Sequence, residues 1–154
     1  MVSSTENDVP IRDASTVILI RKKDNNNYVL MGQRGKNAVF MPSKYVFPGG
    51  AVDSQDSDIK LAGELSKNVS TLLQSNSKNN ISNALSVAAI RELWEEAGLR
   101  LCKKVSKVEK APDGWEDFCA GNYLPDASNL QFVFRAITPP GRPRRFDARF
   151  FLCR

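Results

Sequence analysis

Apolar positions along this chain fall into short clusters separated by Asn, Asp, Gly and Pro. Ser15–Arg21 is rich in β-branched residues and predicts a strand. Asp24-Asn25-Asn26-Asn27 signals a turn, and Tyr28–Arg34 predicts the second strand of a hairpin. Gly35–Ser43 reads as a loop. Lys44–Phe47 is short and extended, and Pro48-Gly49-Gly50 ends it sharply. Leu99–Val108, Leu130–Ile137 and Phe146–Leu152 predict further strands, with Thr138-Pro139-Pro140-Gly141 separating the last two. Trp115–Ala120 predicts a short helix. Trp94 and Trp115 are assigned to the core.

Between Asp53 and Asn83 the pattern thins, and Ser, Asn, Asp and Lys dominate. A surface insertion over about 54–83 is expected, with a short helix within Leu61–Leu73 and a mobile loop at Ser75–Asn80. Residues 1–14 read as a flexible polar lead-in.

The strongest periodic segment is Ala84–Ala97. At about 100° per residue, Ile90, Leu93, Trp94 and Ala97 fall on one side of a helix. Glu92, Glu95 and Glu96 fall on the other, spaced i, i+3, i+4. Gly98 follows as a stop signal. One turn earlier that side carries Ala88 and Ala89 rather than cations. Like charges at this spacing cost a helix a few tenths of a kcal/mol per pair, and a hard divalent cation reverses the sign. Mg²⁺ and Mn²⁺ prefer such oxygen donors. A solvated acidic face gives the same three glutamates, so the choice rests on their neighbours: Arg91 before them, Gly98 after them and Pro48-Gly49-Gly50 upstream.

Composition narrows the chemistry. A chain of 154 residues with 42% apolar and 25% charged residues suits one globular domain. There is no histidine, which excludes Ser-His-Asp and Cys-His catalysis. Cys102, Cys119 and Cys153 are widely spaced and form no Cys-x-x-Cys pair, so they read as free thiols in a cytoplasmic protein. No apolar run reaches the roughly 18 residues of a membrane span. The net charge of +5 is concentrated in Arg142, Arg144, Arg145, Arg149 and Arg154, a cluster suited to an anionic ligand.

Arg91-Glu92-Leu93-Trp94-Glu95-Glu96-Ala97-Gly98-Leu99 resembles the second half of the Nudix box, R-E-U-x-E-E-x-G-U, where U is aliphatic. A chance match to its five fixed letters has odds on the order of 1 in 10,000 in a chain this long. Phe47-Pro48-Gly49-Gly50 resembles the start of the same box. The pattern usually places thirteen residues between its glycine and its arginine. Here 40 separate Gly50 from Arg91, about 27 of them inserted. Counted back from Arg91, the first glutamate of the box falls at Asn83, and Asp53 is the candidate substitute. Phe40-Met41-Pro42, Val46–Asp53, Ile137-Thr138-Pro139 and Pro143–Phe151 resemble a subgroup with an insertion at this point. That subgroup includes bacterial Nudix hydrolases and peroxisomal coenzyme A diphosphatases.

The resemblance implies an α/β fold, the Nudix α/β/α sandwich with a mixed sheet. The sequence stops inside its last predicted strand, where relatives continue, so a C-terminally shortened sandwich is expected. The resemblance also implies metal-dependent hydrolysis of a nucleoside diphosphate derivative, coenzyme A or acyl-coenzyme A being one candidate. Mg²⁺ or Mn²⁺ is expected on Glu92, Glu95, Glu96 and the carbonyl of Gly50. The catalytic candidates are Glu92, on the attacking water, with Glu95 and Arg91, the arginine holding the glutamates by an ion pair. Arg34 and Arg145 are the substrate-binding candidates, Arg145 being preferred over Arg144 and Arg149. Expected partners are a small nucleoside diphosphate and, at most, a second copy of the chain as a homodimer; neither membrane nor nucleic acid is expected. ADP-ribose, NADH and nucleotide sugars are alternative substrates. A non-catalytic module that binds nucleotide or RNA is the alternative from a different class.

Overall fold

Strand β1, Ile11–Lys23, is the spine of the molecule. The computed structural model describes residues 9–37, 42–75, 77 and 81–154. The lead-in through Asp8, Phe40-Met41 and most of the expected loop Ser75–Asn80 lie outside them. Parallel to β1 along nine residue pairs runs β9, Arg145–Cys153. Antiparallel to β9 runs β8, Gln131–Ile137, with an irregularity between Phe132 and Phe134. The other edge of β1 pairs with β2, Asn26–Val29, and with the short β5, Gly49–Ala51. This mixed sheet is the expected α/β centre. β1 starts four residues before the expected Ser15, because Ile11 already pairs with Arg145.

The strand expected over Tyr28–Arg34 is divided. Its first part completes the hairpin with β1. Gly32–Gln33 (β3) turns away to pair with Tyr45–Val46 (β4). Cys102–Lys104 (β6) pairs with Tyr123–Pro125 (β7) in a separate ribbon. Within the polar segment a 3₁₀ turn covers Ser54–Asp58 and helix α1 covers Lys67–Gln74, capped by the Ser66 hydroxyl. Residues 61–63 lie outside the helix: Ala62 donates its N–H to the Pro125 carbonyl at 2.8 Å, and Gly63 bridges to Asp126. Helix α2 runs Ser82–Ala97, and Gly98 at φ +67° closes it with an N–H bond to the Trp94 carbonyl. Helix α3, Glu116–Cys119, completes the set.

Pleating gives the sheet two different faces. Odd-numbered residues of β1 and β9 face the helices. Val17, Phe151 and Cys153 meet Leu85, Ile90 and Leu93 of α2, Leu73 of α1, and the Trp115–Phe118 cluster, against which Trp94 stacks. Towards one end the same face carries charge. Arg149, 2% exposed, contacts Asp13 and Asp147, and Arg135 forks onto Asp147 at 2.6 and 2.5 Å. Even-numbered residues floor an open cleft.

The segment expected as a surface insertion is exposed at half of its described positions, and it sends Asp56, Ile59 and Leu73 into the interior. Arg149 also donates to the Ser77 hydroxyl just beyond α1. Among the described residues no helix is long and apolar enough to cross a membrane. Leu73→Ala should cost about 2–4 kcal/mol in denaturant unfolding, the usual loss for a buried leucine. The adjacent Leu72, 57% exposed, should tolerate Ala to within about 0.5 kcal/mol.

Candidate active site

The last turns of α2 emerge from the core beside β5. Ser82 through Leu93 are buried apart from Asn83 and Glu92, which are half-buried, while Glu95 and Glu96 are exposed. Amphipathic periodicity thus applies only to the C-terminal end of this helix, where Glu92, Glu95 and Glu96 project.

Glycine lets the main chain of β5 approach them. A Cβ on Gly50 would collide with the Glu92 carboxylate, and one on Gly49 with the backbone of β1. Only glycine allows Glu92 to lie across this strand. The Gly49 N–H donates to Glu96 Oε2 at 3.1 Å. The glycine turn and the glutamate helix therefore form one unit.

Arg91 is its hub. The guanidinium is almost fully buried and forks onto Asp56, Nε to Oδ1 at 2.9 Å and Nη2 to Oδ2 at 3.0 Å. It also donates to the Ala51 carbonyl at 3.0 Å, Glu92 Oε1 at 2.9 Å and Glu95 Oε2 at 3.4 Å. Burial opposes its charge, but hydrogen bonding and attraction from Asp56, then Glu92, prevail and raise its pKa. Burial raises the pKa of Glu92. Attraction to Arg91 lowers it, and repulsion from Glu95 and Glu96 raises it again.

Asp56 was missed by counting back from Arg91. Thirteen residues between glycine and arginine, less the acid itself and the seven between acid and arginine, leave five after the glycine. Ala51–Gln55 are those five, and Asp56 is next. Asn83, where the backward count fell, donates instead to the Ser57 carbonyl at 3.1 Å. Asp53 is exposed and lies 3.7 Å from Arg91 and 3.9 Å from Arg12.

A cavity of about 880 Å³ opens in front of Gly49, Gly50, Glu92 and Glu96. Arg34, Arg142 and Arg144 line it. Arg34 Nε is buried without a hydrogen-bond partner. Arg145 is not in the lining: it is buried on the helix-facing side, where its Nε donates to the Thr138 carbonyl at 3.2 Å. Arg144, in the bend just before β9, lines the cavity, whereas Arg145, the first residue of β9, does not. Arg149 is likewise turned inward, as is Asp147.

Among the described residues, no three acidic or cysteine side chains already converge as a metal cage. Glu92 and Glu95 share Arg91, and Glu96 turns to Gly49. The donor set nonetheless fits a hard cation. It consists of carboxylate oxygens beside a glycine backbone, with Glu95 and Glu96 exposed and free to change rotamer.

Two consequences can be measured on metal-free protein. Asp56→Ala leaves the buried Arg91 without its main partner and should cost about 3 kcal/mol. Glu92 behaves oppositely. Below the unfolded value of 4.5 it is neutral in both states. Above its raised folded value it is charged in both, and the folded state carries the whole cost of that charge. Glu92→Gln should therefore melt higher than wild type at pH 7, the gap closing as pH falls towards about 4.5. A lower melting temperature for the variant at pH 7 would count against this account.

No family model matches the chain. A curated Caenorhabditis elegans protein, "Putative nudix hydrolase 7", is 32% identical over 164 residues, covering 92% of this chain. The chain spans 43% of the length of that relative. A crystal structure of a C. elegans Ap4A hydrolase shows a slighter likeness, 14% identity and TM-score 0.45, over 93% of this chain and 67% of that one. The crystal structure of a NUDIX hydrolase from Alicyclobacillus acidocaldarius has a TM-score of 0.69 at 31% identity, over 94% of this chain and 70% of that one. With the glutamate helix locked to a glycine turn as described, the chain belongs to the Nudix hydrolase family.

Proposed function

We propose that this chain hydrolyses the diphosphate linkage of a nucleoside diphosphate derivative, with Mg²⁺ or Mn²⁺ held by Glu92, Glu95, Glu96 and the carbonyl of Gly50. One observation carries the reading. Glu92 lies across Gly50 of β5, and Glu96 accepts from the Gly49 N–H, at the mouth of a cavity whose other polar lining includes three arginines. Carboxylates that hold a cation and arginines that hold phosphate are the two halves of a diphosphate site.

Bound Mg²⁺ or Mn²⁺ supplies charge neutralisation of the diphosphate and lowers the pKa of the attacking water. Glu92 is assigned the proton of that water. Arg91 Nη1 donates to Glu92 Oε1 at 2.9 Å and keeps it oriented, and burial raises its pKa. Arg91 is a positioning residue, because its donors are spent on Asp56, Ala51, Glu92 and Glu95. Arg34, with its unpartnered Nε, is assigned to phosphate, and Arg144 takes the place first given to Arg145. Coenzyme A or an acyl-coenzyme A heads the substrate candidates on the strength of the sequence resemblance outside the box. Assignment of residues 54–83 as the subgroup's insertion belongs to the same proposal.

A panel of coenzyme A, ADP-ribose, NADH and nucleotide sugars, with Mg²⁺ or Mn²⁺ and a phosphomonoester readout, tests the activity and orders the substrates. Glu96→Gln should weaken Mn²⁺ binding in calorimetry and lower turnover together. Glu92→Gln should lower turnover about 100- to 10,000-fold while metal affinity stays within a few-fold of wild type. Equal losses of affinity and turnover in Glu92→Gln would make Glu92 a metal ligand alone and leave the base unassigned.

A further inference from the structure

The sheet register lines up four alanines across four strands. Ala51 on β5 pairs with Ala14 on β1, Ala14 with Ala148 on β9, and Ala148 with Ala136 on β8. Three of them, Ala14, Ala148 and Ala136, line the cavity. The row starts beside Gly50 and Glu92 and runs outward to the edge strand. Exposure rises along it, from buried Ala14 through half-buried Ala148 to exposed Ala136.

Phenylalanines stand on both sides of the row. Two residues along each strand on the same face stand Thr16, Phe150 and Phe134, paired in register. Two residues the other way along β9 stands Phe146. Alanine between such neighbours leaves a trench, because same-face residues are only about 6.6 Å apart along a strand. Its length follows from strand spacing: Ala14 to Ala136 spans two intervals of about 4.8 Å, roughly 10 Å in all. The rings of Phe134 and Phe150 stack on each other at 4.2 Å and 14°. One face of Phe150 is therefore already used, which leaves this wall poorly suited to stacking a base. The trench is longer than a single base and narrow, with a smooth floor free of polar side chains.

We propose that the trench receives an extended, unbranched, largely apolar arm on the diphosphate, and that Ala148 and Ala136 determine specificity for it. This rests on the diphosphatase reading. The diphosphate lies at the glutamate end, and the arm runs over Ala14, Ala148 and Ala136 towards solvent. Each alanine replaced by a larger side chain shortens the trench from that point outward.

The test compares two ADP esters, n-decyl and methyl, with wild type, Ala136→Leu and Ala148→Leu in Mg²⁺. Ala136 is exposed on an edge strand, so its variant keeps the test available if Ala148→Leu fails to fold. KM for the decyl ester should rise about tenfold in Ala136→Leu, the scale of discrimination an apolar pocket achieves. kcat/KM for the methyl ester should not change. Equal losses on both esters would put the nucleotide in the trench and overturn the proposal, as would no change on the decyl ester. If wild type hydrolyses neither ester, the diphosphatase reading fails, and calorimetry of decyl-ADP on metal-free protein decides the trench separately. Binding that Ala136→Leu weakens about tenfold upholds it; binding unaffected by the substitution, or no binding, overturns it.

Discussion

The buried fork of Arg91 onto Asp56 is the interaction on which the rest of the site depends. It joins the helix that carries the glutamates to the segment leaving the glycine turn, 35 residues apart in sequence. Both groups are almost completely withdrawn from water. Two buried charges seldom stabilise a fold more than apolar residues of the same shape, but removing one partner is costly. The pair therefore acts as a constraint. It fixes the rotation of α2 relative to β5, and the remaining Arg91 donors then orient Glu92 and Glu95. The Ser15 hydroxyl, bonded to the Leu85 carbonyl at 2.6 Å inside the core, anchors the same helix to β1.

The two faces of the sheet divide the labour. The odd face holds the apolar core and, at one end, the Arg135–Asp147–Arg149–Asp13 network. The even face is lined with alanine and threonine between phenylalanines and stays open. A parallel pair such as β1 and β9 is usually covered on both faces. Here the even side is left as a cavity wall, and small residues give it depth.

The sequence made the glutamate helix legible because three signals coincide within nine residues: the carboxylate spacing, Arg91 and the Gly98 stop. All three lie on or immediately beside one helix, so short-range spacing is enough to show them. Asp56 was illegible to a count made through the long polar segment, since an insertion shifts one end of a motif and not the other. The burial of Arg145 was illegible for another reason: composition carries no information about where β9 begins or which parity of its residues faces out. The buried side chains of the polar segment were hidden because isolated residues such as Ile59 and Leu73 make no periodic pattern. The unusually long β1 was also unreadable, since its first residues pair with a strand more than 130 positions away.

The end of α2 is electrostatically unfavourable in three ways at once. Glu92, Glu95 and Glu96 repel one another. Two of them sit in the last turn, where the helix dipole already presents negative charge. That last turn contains no basic residue. Burial of Glu92 adds a fourth cost, seen in its raised pKa. Arg91 cannot cancel all of this, because its guanidinium is divided among Asp56, the Ala51 carbonyl and two glutamates. Such an arrangement survives only because the preceding turns of the helix are packed on every side, from Ala84 to Arg91. The packing of the helix thus sustains a local excess of negative charge. In the proposed metal-bound state the same excess would give a hard cation a favourable place to bind, so the stability lost at the tip and the affinity gained there would have one origin.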